Sequence, residues 1–229
     1  MSGNHQNITL TASDGHQFGA YRCEPESDAQ GAVVVIQEIF GVNEHIRSVT
    51  ERFAAVGYLA IAPALYDRWK LGFSAGYMAD DIAVGRDLKS KANQNLDSVF
   101  LDVEAARVNV SGAGKVGVAG FCWGGVVTWL AACRLDFQAA ASYYGAGIVG
   151  YLGETPQCPT ILHFGRNDGS IPMDEVDTIS AAHPDVEVHV YEAGHGFYCD
   201  LRGGDYSPIS ANIAAMRTTR FFDANLGRA

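Results

Sequence analysis

Nowhere in the 229 residues does an uninterrupted apolar run approach the roughly 18 residues that a membrane span requires, so the sequence offers no transmembrane helix. The opening MSGNHQNITLTASDG lacks a basic segment followed by an apolar one, so no secretory signal is read there and a cytoplasmic location is expected. Positive charge is scarce, with 16 Lys and Arg against 26 Asp and Glu and a formal net charge of −10. Binding to phosphate backbones or anionic lipid needs Lys and Arg to neutralise the phosphates, so neither nucleic acid nor a membrane surface is an expected partner. The acidic excess is spread along the chain and forms no tail. The five cysteines (Cys23, Cys122, Cys133, Cys158, Cys199) are odd in number and show neither a CxxC pair nor a Cys/His ligand spacing. Free thiols are therefore expected and no metal site is indicated. Repeats and low-complexity linkers are absent, and the length suits one α/β core, so a single domain over 1–229 is expected. Oligomeric state leaves no signal in the sequence.

What the sequence does contain is an alternation of short apolar runs with helical patterns. Residues 16–23 and 32–37 read as strands, the second (AVVVIQ) a continuous β-branched run suited to burial on both faces. Ile46, Val49, Phe53 and Val56 then recur at helical spacing, and Gly57 marks the end. Residues 58–63 predict a strand, 65–85 a long irregular segment that is a candidate substrate loop, and 87–107 one helix. Further strands are expected at 115–120, 139–144, 160–164 and 186–191, with helices at 122–134, 173–183 and 210–226. This order predicts an α/β chain with a doubly wound, mostly parallel sheet and helices on both faces.

Ligands of such sheets gather at the carboxyl ends of the strands. Four residues stand at those ends: Glu38, Cys122, Asp168 and His195. Gly120-Phe-Cys122-Trp-Gly124 matches the nucleophile elbow of an α/β hydrolase with Cys in place of Ser; small residues flank the nucleophile because the turn is strained and crowded. The helix that starts there would favour a thiolate. Asp168 in GRNDGSIP and His195 in AGHGF follow in the order nucleophile, acid, base, which is the order of that fold. Each residue also has a plainer reading: a buried structural cysteine, a turn aspartate, a structural histidine. Asp174 and Asp177 are weaker substitutes for the acid. His163 lies inside a strand and reads as structural, and His5, His16, His45, His183 and His189 lack a catalytic context. In hydrolases of this design the oxyanion is held by the amide after the nucleophile, here Trp123, and by one after the first buried strand, here Ile39.

At QEIFGVNEHIR, GFCWGG, GRNDGSIP and AGHGF the chain resembles the dienelactone hydrolases, or carboxymethylenebutenolidases, along nearly its whole length. The resemblance implies an α/β hydrolase fold and a triad of Cys122 as nucleophile, His195 as base and later acid, and Asp168 as orienter. It also implies a role for Glu38, as the carboxylate that meets the resting thiol and helps to generate the thiolate when substrate arrives. The expected activity is hydrolysis of a small lactone or enol ester through a thioester, with a small-molecule substrate and no cofactor. Family members bind the substrate carboxylate with arginines, one of them four residues after the catalytic histidine; here that position is Cys199. Arg68, Arg86 and Arg202 remain candidates for that contact, and Tyr198 and Trp123 for lining a pocket. An acyltransferase, or a non-catalytic binding protein on the same fold, are the alternative readings; a dehalogenase would want an aspartate at the elbow.

Overall fold

The computed structural model describes residues 4–227. The chain divides into two compact units, one running to Val116 and one spanning Gly117–Gly227.

The first unit carries β1 (His5–Thr11), β2 (Gln17–Cys23), β3 (Ala32–Ile36) and β4 (Leu59–Pro63), with α1 (Glu44–Ala55), α2 (Ala79–Asn93) and α3 (Leu96–Val110). Their order in the sheet is β1-β2-β4-β3. β1 and β2 form an antiparallel hairpin, β2 runs antiparallel to β4, and β3 and β4 are parallel. Every residue of β3 and β4 is buried, as their continuous apolar runs require. The strand β1, which the sequence reading missed, is mostly exposed and polar, and its apolar alternation is limited to Ile8 and Leu10. α1 begins where the Asn43 side chain accepts the Ile46 N–H at 3.2 Å, and it buries Ile46, Val49 and Phe53. The expected single helix over 87–107 is instead two: α2 starts earlier, at Ala79, and the chain breaks at Gln94 and Asn95 before α3. Asn95 leaves the helical region at φ −135° and turns its side-chain amide back onto the Lys91 carbonyl at 2.9 Å.

The segment expected to be irregular over 65–85 is so only as far as residue 78, since 79–85 form the first half of α2, and the irregular part is tied down at both ends. Asn43 donates to the Ala75 carbonyl and to the Tyr77 hydroxyl, each at 3.1 Å, and the Ala75 N–H reaches the Phe40 carbonyl at 3.0 Å. Gly41, at φ +76°, lies so close to the Phe73 carbonyl that a Cβ there would fall 2.0 Å from its oxygen. Arg68 anchors the other end: Nε and Nη2 reach the two oxygens of Asp102 at 2.7 Å, and Nη1 reaches Asp14 at 2.8 Å. The Asp102 side chain is wholly buried. Burial pushes its carboxyl up and the Arg68 guanidinium opposes that. Removal of Arg68 would strand this carboxylate. Arg68→Ala is therefore expected to destabilise the protein by about 3 kcal/mol, read in a thermal melt as a fall of about 10 °C. A melting point within about 2 °C of the parent would refute the anchoring role.

The second unit holds the parallel strands β5 (Val116–Phe121), β6 (Ala139–Tyr143), β7 (Thr160–Gly165) and β8 (Glu187–Tyr191), in that order. α4 (Trp123–Arg134), α5 (Met173–Ala182) and α6 (Pro208–Leu226) are its helices. β5, β6 and β7 are buried at every position, whereas β8 is partly exposed. His163 proves structural, as its place inside a strand suggests. It is fully buried, with Nδ1 2.8 Å from the Tyr191 hydroxyl and Nε2 2.9 Å from Thr218 Oγ1. Burial holds its pKa well below the usual histidine value, aided by His189 and Arg217. Among the described residues no helix is long and apolar enough to cross a membrane.

Candidate active site

The elbow between β5 and α4 is strained. Cys122 adopts φ 56° and ψ −116°, a region that residues with a Cβ rarely occupy. Its backbone is pinned on both sides, by the Cys122 N–H to the Tyr143 carbonyl at 3.0 Å and the Gly125 N–H to the Cys122 carbonyl at 2.9 Å. A Cβ on Gly120 would lie 2.1 Å from the Gly124 carbonyl oxygen, so only glycine permits the turn. The thiol thus stands at the N-terminus of a twelve-residue helix whose partial positive charge favours an anion there.

The loops after β7 and β8 bring in the other two groups. They are zipped by backbone hydrogen bonds, from the Arg166 N–H to the Tyr191 carbonyl at 2.7 Å and from the Asn167 N–H to the Ala193 carbonyl at 3.0 Å. Gly165 allows this approach, because a Cβ there would sit 2.4 Å from the Ala193 carbonyl oxygen. Asp168 Oδ1 accepts the Ser170 N–H at 2.7 Å, which leaves Oδ2 aimed at His195 Nδ1, 2.8 Å away. His195 Nε2 lies 3.1 Å from Cys122 Sγ. Sulfur, imidazole and carboxylate, separated by 73 and 27 residues of chain, thus form one continuous line. The Asp168 side chain is fully buried, while that of His195 retains 18% of its exposure. Burial works against the imidazolium, but the hydrogen bonds and charges of Asp168 and Cys122 outweigh it and raise His195 to about 10.

Tyr144 escaped the sequence reading. It follows β6 at φ 39° and is fully buried, with its ring centroid 5.2 Å from that of His195 and the two ring planes at 63°. Its N–H donates to the His163 carbonyl at 2.8 Å, so the strained backbone is held in place. Its position at the carboxyl end of a strand was the available signal; an aromatic there reads as core.

The remaining candidates are placed as follows. Trp123 opens α4 and is buried. Tyr198 is buried in an aromatic cluster, 5.3 Å from Phe121 and 4.9 Å from Tyr143. Arg202 pairs with Asp205 at 2.8 Å and lies over Gly196, the residue after His195, where a Cβ would meet its Nη1 at 2.8 Å. In the first unit, Glu38 and Ile39 are buried on the loop after β3, and Arg86 is exposed on α2. Each guanidinium nitrogen of Arg68 is hydrogen bonded to Asp14 or Asp102.

Residues 18–226 match the model of the dienelactone hydrolase family. A relative from Synechocystis sp. is 38% identical over 92% of this chain and 93% of its own. The carboxymethylenebutenolidase of Pseudomonas putida is 33% identical over 95% of this chain and 94% of its own. A solved structure from Klebsiella pneumoniae superposes with a TM-score of 0.78 at 30% identity, covering 96% of this chain and 98% of that one. An esterase of Pyrococcus furiosus, at 16% identity and a TM-score of 0.72 over 98% of this chain and 94% of that one, shares the fold.

Proposed function

The chain belongs to the dienelactone hydrolase family, and on that footing we propose that it opens small lactones or enol esters by cysteine catalysis through a thioester. The observation that carries the reading is the Cys122–His195–Asp168 line, with Nε2 3.1 Å from the sulfur and Nδ1 2.8 Å from the carboxylate. The Cys122 thiolate attacks the carbonyl carbon, and the electron pair of the C=O bond moves to oxygen. On this reading the amide of Trp123, the first residue of α4 directly after the elbow, donates to that oxyanion. The intermediate collapses, the ring C–O bond breaks, and the His195 imidazolium gives its proton to the leaving oxygen. Water then adds to the thioester as His195 takes its proton, and the thiolate departs. Glu38 enters as the carboxylate that the family likeness assigns to thiolate formation. A substrate that carries its own carboxylate suits Arg202, the arginine lying against the His195 loop.

Alkylation with iodoacetamide, with and without a carboxylated lactone, tests this reading. One fast-reacting thiol at Cys122, protected by the lactone, is expected. An inert Cys122 together with no turnover of lactones or aryl esters would favour a binding protein. A product assay with water as the sole acceptor separates hydrolysis from acyl transfer.

The pH dependence follows from His195. Its pKa is raised from 6.5 to about 10, so the acid form persists through neutrality and is lost as pH rises. The rate constant kcat/KM for an aryl ester of fixed charge is expected to stay level above pH 7 and fall along an alkaline limb near 10. Stability obeys the same sign: the contribution of His195 is complete below its unfolded value of 6.5 and disappears as pH climbs through about 10. An alkaline limb near 7 would show that the imidazolium is not held.

A further inference from the structure

Glu38 is the buried ionisable group that the geometry of the triad leaves unexplained. It is fully buried, and neither carboxylate oxygen has a hydrogen-bond partner among the described residues. The sulfur of Cys122 meanwhile faces His195. A carboxylate cut off from water and left without a partner is strongly disfavoured, so such a group is either neutral or close to a cation. Within its own unit the fold supplies a titratable neighbour of the required kind. His45, near the start of α1, is also fully buried, and a nitrogen of its ring lies within 4.8 Å of a Glu38 oxygen.

The local fold maintains this proximity. Asn43 caps α1 through Oδ1 and ties its Nδ2 to Ala75 and Tyr77, and Gly41 takes a positive φ that no bulkier residue could adopt beneath Phe73. The chain from residue 38 to 45 is thereby folded back on itself, so both side chains enter the same buried space. The approach within 4.8 Å sets a carboxyl oxygen and a ring nitrogen as neighbours in that space.

We propose that His45 is a positioning residue that acts through Glu38, the two side chains sharing one proton. As carboxylic acid with neutral imidazole, or as carboxylate with imidazolium, the pair carries the same net charge of zero. Interconversion breaks one O–H bond and forms one N–H bond, with the proton moving from a carboxyl oxygen to a ring nitrogen. No isolated charge is created in the interior in either state. Glu38 can therefore serve as acid or as carboxylate on demand, which an isolated buried glutamate could not do. The inference rests on the reading that Glu38 takes part in turnover.

The test combines a double-mutant cycle with a spectroscopic measurement. Steady-state hydrolysis of an aryl ester is measured for the parent, Glu38→Gln, His45→Gln and the double variant. His45→Gln is expected to lower kcat about 10-fold with KM within about 2-fold, and in the Glu38→Gln background to change kcat by less than about 2-fold. Parent-like turnover in His45→Gln, or losses that multiply in the double variant, would overturn the proposal. The second measurement needs no change at position 45. The ring-nitrogen shifts of His45 are compared by ¹⁵N NMR between the parent and Glu38→Gln, and a change in protonation or tautomer is expected. Unchanged shifts would overturn the pairing. Should the parent hydrolyse nothing, the hydrolase reading fails while the NMR comparison still decides whether the pair exists.

Discussion

Cys122→Ser is expected to lower kcat for an aryl ester by at least about 10²-fold, with the melting temperature close to that of the parent. Serine fits the strained elbow as well as cysteine does, because the turn depends on Gly120 and on the hydrogen bonds of the backbone. The loss comes from the mismatch between nucleophile and base. His195 is raised to about 10, partly by Cys122 itself, and so sits as the imidazolium partner of an anion. An alcohol does not ionise at neutral pH and needs a neutral imidazole to take its proton, which is the form this site disfavours. Kinetics on the purified variant, with a melt to confirm folding, check the result; parent-like turnover would remove Cys122 from the nucleophile role. The same comparison can be made by chemical labelling. Burial pushes the thiols of Cys23 and Cys158 up to about 11 and that of Cys133 up to about 12, so these three contribute little thiolate at neutral pH. Loss of the fast iodoacetamide signal in Cys122→Ser then identifies the thiol.

Legibility in the sequence followed the strength of the local constraint. β3 and β4 could be read because burial on both faces leaves only apolar residues, and the elbow because its geometry tolerates only small neighbours around position 122. Asp168 and His195 could be found because the fold puts them after consecutive strands in a set order, and the hydrogen bonds follow that order. Exposed β1 carries only two alternating apolar residues, Ile8 and Leu10, and the break between α2 and α3 depends on how one asparagine turns its side chain. Arg68 was a candidate for substrate because its partners lie far from it in sequence: Asp102 on α3 and Asp14 in the turn between β1 and β2 become its neighbours only on folding. His45 was set aside for a related reason. Its significance depends on Glu38 being buried without a hydrogen-bond partner, a property of three-dimensional packing that no spacing rule reveals.

Asp168→Asn should be nearly as damaging as loss of the sulfur, with kcat falling by about 10²- to 10⁴-fold. The present carboxylate divides its oxygens between two donors, Oδ1 for the Ser170 N–H at 2.7 Å and Oδ2 for His195 Nδ1 at 2.8 Å. An asparagine that keeps its oxygen on Ser170 must turn its NH₂ toward Nδ1, so the ring is driven to present a lone pair there. The proton then resides on Nε2 of a neutral imidazole, and the charge that stabilised the imidazolium has gone. Burial, which opposes the charged ring, is left without its main counterweight, so the pKa of His195 should drop from about 10 toward or below its ordinary 6.5. Residual activity in Asp168→Asn is therefore expected to show its alkaline limb displaced toward neutral pH, whereas simple distortion of the loop would lower the rate without moving the limb. An unmoved limb near 10 would mean that some group other than Asp168 holds the imidazolium.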